Sequence, residues 1–128
     1  MRTLLVADDN RLSRELVRDV FESARCRVVE AANGQEAIDR LEAVSPDLVF
    51  LDLEMPVKDG FAALAEIRKN PRFSDIPVMA VTAKAMVLDR DRILAAGFDA
   101  YVTKPIDVAQ LRKRVYELLR SSRKGECP

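Results

Sequence analysis

VFLDLEMPVKDGF, from Val49 to Phe61, is an apolar run that ends on an acid and opens into a loop punctuated by Pro56 and Gly60. Val49, Phe50 and Leu51 are residues that a strand buried on both faces would use. Asp52 follows at the carboxyl end of that strand. Pro56 and Gly60 turn the chain before a helical pattern starts at Phe61. In an open parallel sheet, ligand chemistry sits just outside the carboxyl ends of the strands, which makes Asp52 the first candidate for a chemical residue. Alone, it would read as an ordinary aspartate beginning a turn.

The same design recurs upstream. Thr3 to Ala7 (TLLVA) is a short apolar run delivering Asp8, Asp9 and Asn10. A helical pattern follows, with Leu12, Leu16, Val17, Val20 and Phe21 spaced for one face and Asn10 or Asp9 as cap. Arg27 to Ala32 reads as a second strand, Asn33 and Gly34 as a turn, and Gln35 to Ala43 as a helix with Ala37, Ile38 and Leu41 inward. Pro46 precedes the third strand, Leu48 to Asp52. The helix Phe61 to Lys69 turns Phe61, Leu64, Ala65 and Ile67 inward. Val78 to Val81 is a fourth strand ending in Thr82, and a helix from about Met86 to Ala96 stops at Gly97. Phe98 to Thr103 holds a fifth strand running into Lys104 and Pro105. Asp107 caps a last helix, Val108 to Leu119, with Leu111, Val115, Leu118 and Leu119 on one face. Strands alternating with helices indicate a doubly wound α/β domain. Residues 1–120 form that one domain, and 121–128 are a short polar tail expected to fray.

Composition narrows the chemistry. Lysine plus arginine equals aspartate plus glutamate at 21 each, so net charge gives no reason to expect a nucleic-acid or membrane-surface partner. No apolar run approaches the roughly 18 to 20 residues that cross a bilayer, and the amino-terminal apolar run is too short for a secretory signal; a cytoplasmic location is expected. Cys26 and Cys127 lie in no metal-binding pattern. The chain has no histidine, which excludes a histidine triad, a histidine metal site and a histidine general base within it. Catalysis must rest on carboxylates, lysine, hydroxyls or a metal.

In a parallel sheet, Asp8, Asp9, Asp52, Thr82 and Lys104 all reach one edge. Clustered carboxylates repel one another and raise each other's pKa. A hard cation such as Mg²⁺ would offset them with oxygen ligands, and Lys104 supplies a second positive charge. A carboxylate beside Mg²⁺, a lysine and a hydroxyl suits phosphoryl transfer to an aspartate. Neither a P-loop nor a dinucleotide fingerprint is present.

Those residues carry a resemblance. The acid pair Asp8 and Asp9, the DLEMPVKDG segment holding Asp52, the VTA segment holding Thr82, the TKP segment holding Lys104 and Pro105, and the aromatic Tyr101 fall in the order and spacing of a receiver domain of two-component response regulators. The resemblance covers residues 2 to 120. It implies a flavodoxin-like (βα)5 fold with a five-stranded parallel sheet of order 2-1-3-4-5. It implies that Asp52 accepts a phosphoryl group from a histidine kinase or histidine phosphotransfer protein. Asp9, Asp52 and the backbone carbonyl of Glu54 would ligate Mg²⁺, with Asp8 beside them. Lys104 would pair with the phosphoryl group, Thr82 would hydrogen-bond it, and the Ala83 N–H would hold one of its oxygens. Thr82 and Tyr101 would form the switch, reshaping the face built from the fourth helix, fifth strand and fifth helix. The Lys104–Pro105 bond falls at the family's cis position.

The resemblance makes the chain a signalling switch rather than an enzyme, catalysing only its own phosphotransfer and dephosphorylation. No DNA-binding domain follows within the chain, so output is expected through contact with a downstream protein, and the same face would serve a homodimer. Glu54 and Lys84 flank the expected path of attacking water, and a pair between them would lengthen the phosphorylated state. Two other classes compete. A haloacid-dehalogenase-type hydrolase also uses an aspartyl nucleophile, but wants Asp where Glu54 stands. A pseudo-receiver would bind partners without phosphorylation, against the presence of every acceptor residue.

Overall fold

The computed structural model describes the backbone of residues 2–83 and 87–121, and the side chains of 2–83 and 90–120. Its elements run β1 (Thr3–Ala7), α1 (Arg11–Glu22), β2 (Arg27–Ala31), α2 (Gly34–Val44), β3 (Leu48–Asp52), α3 (Gly60–Lys69), β4 (Val78–Thr82), α4 (Val87–Ala96), β5 (Ala100–Thr103) and α5 (Val108–Ser121). All strand pairs are parallel, in the order β2-β1-β3-β4-β5. The expected fold is therefore the observed one. Met86, Lys84, Cys127 and the tail beyond residue 121 lie outside the described residues.

The strands sort their side chains by alternation, because successive residues of a strand point to opposite faces. Leu5, Ala7, Val49, Leu51, Val78 and Ala80 enter one core with Ala37, Leu41, Ala63, Leu64, Ile67 and Ile93 from α2, α3 and α4. Leu4, Val6, Leu48, Phe50, Met79 and Val81 enter the other with Val17, Val20, Phe21, Leu111, Val115 and Leu119 from α1 and α5. Every residue of β3 and β4 is buried, whereas β2 and β5 at the edges are only partly so. The most apolar runs in the sequence are thus central strands.

Two inward positions read from the sequence are corrected. Leu12 is 74% exposed, because the buried stripe of α1 runs through Val17, Val20 and Phe21 and Leu12, nine residues before Phe21, lies about 180° around the axis from it. Ala65 is exposed and Ala63 buried. The buried stripe of α3 runs Gly60, Ala63, Leu64, Ile67, and Ala65 lies about 100° past Leu64 around the axis. Small boundary shifts accompany these: α2 gains Gly34 and Val44, and α5 reaches Ser121.

Polar caps place the helix starts at the carboxyl edge of the sheet. Asn10, Asn33, Asp59 and Asp107 each accept a backbone N–H three residues on, at 2.8–3.2 Å. The start of α2 holds the turn after β3. Gly34 donates its N–H to the Lys58 carbonyl at 3.1 Å, and a Cβ there would lie 2.1 Å from that oxygen. Gly34→Ala is therefore expected to destabilise the fold by about 1–3 kcal/mol, the scale of overpacking against rigid neighbours. Chemical denaturation at unchanged m-value would measure it.

Candidate functional site

The alternation that builds the cores also builds the site. Asp8 lies two residues past Val6, Asp52 two past Phe50, and Lys104 two past Val102, three residues of the core on the α1 and α5 side. Backbone pairing continues beyond the strand ends: the Asp8 N–H donates to Ala31 O at 3.0 Å and the Lys104 N–H to Thr82 O at 2.8 Å. The three functional groups therefore leave the same face of the sheet. Lys104 Nζ reaches Asp52 Oδ2 at 2.9 Å and Asp8 Oδ2 at 3.0 Å. Asp52 Oδ1 accepts the Glu54 N–H at 3.1 Å, and Asp8 Oδ1 accepts the Asn10 N–H at 2.9 Å.

Asp8 and Asp52 are only 2% and 6% exposed, while Asp9 stands at the surface. One carboxylate oxygen from each of Asp8, Asp9 and Asp52 lies within 4.8 Å of the others. Three hard oxygen donors at that spacing fit a small divalent cation. Burial pushes the Asp8 carboxyl above its ordinary range; the Asn10 N–H and Lys104 oppose that rise without cancelling it, and Asp52 adds to it. Burial works against the Lys104 charge, yet hydrogen bonds to Asp52 and Asp8 outweigh it and hold the ammonium above its ordinary pKa. The lysine is a fixed cation between two buried acids.

The sign of the Asp8 shift predicts a stability effect. A carboxyl whose folded pKa is raised takes up its proton in the folded state first, so its charge costs stability at neutral pH and the cost fades as pH falls toward the ordinary carboxylate value. In chelator, Asp8→Asn is expected to melt on the order of a few degrees above the parent at pH 7. The gap should close near pH 4. Thermal unfolding across that range, followed by circular dichroism, checks it.

Thr82 is 2% exposed at the end of β4, and Ala83 beyond it is exposed. Tyr101 pairs with Ala80 across β4 and β5 and packs, partly buried, on the α2–α4 side core. Thr82 lies two residues past Ala80, so it leaves the same face as Tyr101. Glu54 is exposed; its expected partner Lys84 lies outside the described residues. The Lys104–Pro105 peptide is cis.

The loop after Asp52 turns sharply at Val57. Val57, not a glycine, takes the left-handed conformation, with φ 69°. The Lys58 N–H donates to Pro56 O at 2.7 Å, a γ-turn of the rarer, strained form. The Val57 side chain is 82% exposed, while Met55 is buried in the core and Lys58 pairs with Glu66. A separate cleft of about 320 Å³, lined by Phe21, Cys26, Arg112, Val115 and Tyr116 among others, lies between the end of α1 and α5. It holds none of the acid-site residues.

The sequence profile described as "Response regulator receiver domain" matches residues 4–116, nearly the whole chain. The chain belongs to the response regulator receiver family. It is 32% identical over 118 residues to the polar-differentiation response regulator DivK of Brucella anthropi, covering 92% of this chain and 96% of that one. Among solved structures, the receiver domain of the Pseudomonas aeruginosa sensor histidine kinase PA1611 superposes with a TM-score of 0.86 at 30% identity, over 94% of this chain and 98% of that one. That structure has a magnesium ion coordinated in its active-site cleft. The Vibrio cholerae chemotaxis protein CheY4 superposes at 0.87 with 25% identity, over 93% of this chain and 99% of that one. As a receiver, the chain belongs to two-component signalling. Among the described residues no helix is long and apolar enough to cross a membrane.

Sequence reasoning missed the residues that hold the acids. From the sequence Asn10 reads only as a cap, yet its N–H donates to Asp8 Oδ1. Arg14, one turn into α1, donates from Nη1 to the Asp8 carbonyl at 2.8 Å. A basic residue one turn beyond an acid pair was the available signal.

Proposed function

We propose that this receiver is a phosphorylation switch in which Asp52 accepts a phosphoryl group from a histidine-bearing partner. The observation that carries it is the shared lysine: Lys104 bridges Asp52 and Asp8 within a cluster of three acids. A carboxylate oxygen of Asp52 bonds to phosphorus as the phosphorus–nitrogen bond of the donor breaks, and the released imidazole is protonated by solvent. The product is an acyl phosphate. Lys104 then exchanges carboxylate oxygen for phosphoryl oxygen, the Thr82 hydroxyl hydrogen-bonds the group, and the Ala83 N–H holds a further oxygen.

The acid cluster fits Mg²⁺, which Asp9, Asp52 and the Glu54 carbonyl would hold with Asp8 beside them. When bound, it supplies charge neutralisation for the transferring group. The magnesium in the related PA1611 receiver supports that choice of ion. Leu12 in the first turn of α1 and Val57 in the loop after β3, both exposed and apolar, would meet the histidine-bearing partner, a kinase or phosphotransfer protein. Thr82 and Tyr101 on one sheet face support a switch that reshapes α4, β5 and α5 for a downstream protein or a second copy. The receiver is proposed to span 1–120 and to act in the cytoplasm, a location that its place in two-component signalling supports.

The test is mass spectrometry after incubation with acetyl phosphate, with and without Mg²⁺. A single Mg²⁺-dependent phosphoryl adduct supports the switch. Failure of the parent to take up the group under any condition overturns it in favour of a receiver that binds partners without phosphorylation.

A further inference from the structure

We infer that Arg14 is a positioning residue for the acid pair, acting through the Asp8 backbone carbonyl, and that Glu30 on the edge strand β2 sets its orientation. The inference rests on the phosphoacceptor reading above and concerns how its acids are held.

Asp8 stands one residue past β1. Its N–H is taken by Ala31 O and its two carboxylate oxygens by Asn10 and Lys104. Its carbonyl has left the strand ladder, and Arg14 Nη1 is the donor that meets it, at 2.8 Å. The peptide unit so gripped joins Asp8 to Asp9. Its orientation decides where the second carboxylate stands relative to the first, and hence whether the three acids stay within 4.8 Å.

Arg14 is itself held. Its Nε donates to Glu30 Oε1 at 3.1 Å, and the other oxygen, Oε2, accepts Arg18 Nη1 at 2.8 Å. Arg18 also lies 3.8 Å from Asp19. Two arginines thus face two acids, and the group adds little net field to the pocket. Its role is geometric. A planar guanidinium can donate along two fixed directions, to a strand carboxylate and a turn carbonyl together; an ammonium is a point charge without that fork. Glu30 pairs with Val6 in the sheet, so β2, which contributes no group to the pocket, still steers it.

The competing account is that the network only fastens α1 to β2. Arg18 separates the two, because it shares Glu30 and its ion pairs among the described residues are with Glu30 and Asp19, not with the Asp8 turn. Three variants, Arg14→Ala, Arg14→Lys and Arg18→Ala, are compared with the parent by Mg²⁺ titration on backbone amide signals. Melting temperature and metal-free hydrogen exchange at Asp9 and Asn10 are recorded beside it. Arg14→Ala and Arg14→Lys are expected to bind Mg²⁺ on the order of 10-fold more weakly, the low end of losses seen when groups orienting metal ligands are removed. Both should exchange faster at Asp9 without metal. Arg18→Ala is expected to lose comparable thermal stability while keeping parental Mg²⁺ affinity. Parental affinity in Arg14→Ala overturns the inference, as does an equal loss in Arg18→Ala. A parent that binds no Mg²⁺ overturns it together with the phosphoacceptor reading. A parent that binds Mg²⁺ but takes up no phosphoryl group overturns that reading alone.

Discussion

Asp52→Asn is expected to take up no phosphoryl group from acetyl phosphate under conditions that convert the parent. The substitution keeps the shape of the side chain and an acceptor oxygen for the Glu54 N–H, so the fold and its turn persist. What it removes is the anionic oxygen that must form the bond to phosphorus. An amide oxygen is a far poorer nucleophile, and the chain has no histidine to serve as a base beside it. Asp8 and Asp9 stand nearby, but Asp8 Oδ1 is committed to Asn10 and Oδ2 to Lys104. Intact-mass measurement of parent and variant side by side reads the result. An adduct retained in Asp52→Asn would move the acceptor to another residue.

Lys104→Ala should show the second large effect, on chemistry and stability together. The ammonium lies 2.9 Å from Asp52 Oδ2 and 3.0 Å from Asp8 Oδ2, so its loss leaves two buried carboxylates without their shared cation. Breaking a buried pair costs about 3–5 kcal/mol. Because Lys104 keeps some solvent contact and serves both acids, a loss of roughly 2–4 kcal/mol is expected at pH 7 in chelator. Mg²⁺ should restore much of it, stabilising the variant more than the parent by mass action. Phosphoryl uptake should slow by about 10²–10³-fold, the usual consequence of removing one group aimed at developing charge. The sign of the lysine shift adds a check in the parent. Its folded pKa is raised, so its contribution is complete below the ordinary lysine value and is lost as pH climbs through the folded one. Parent and variant stabilities should converge in strong alkali. Denaturant unfolding at each pH, with and without Mg²⁺, measures both.

The strand pattern was legible because burial is periodic and local. An apolar run closing on an acid recurs at Ala7–Asp8 and at Leu51–Asp52, and those runs became β1 and β3. Parallel strands then had to bring their carboxyl ends to one edge, so Asp8, Asp9, Asp52, Thr82 and Lys104 could be assembled on paper. The caps Asn10 and Asp107 were legible for the same local reason, since each meets a backbone N–H three residues away.

Other features depended on residues distant in the chain. Val57 adopts the left-handed region although the sequence offers Gly60 nearby, because Gly60 is needed elsewhere. A Cβ at Gly60 would come within 2.5 Å of the Asp52 carbonyl. The reach of Arg14 to the Asp8 carbonyl, and of Glu30 to Arg14, joins a helix, a turn and an edge strand. By itself the sequence determined which segments are strands and helices, and which acids, lysine and threonine arrive at the carboxyl edge, because alternation and capping act within a few residues. Only the tertiary structure decided that Lys104 is shared between Asp8 and Asp52 and that an arginine grips the peptide between the two acids. Such pairings are chosen by which side chains packing brings within hydrogen-bond reach, and no local period encodes that choice.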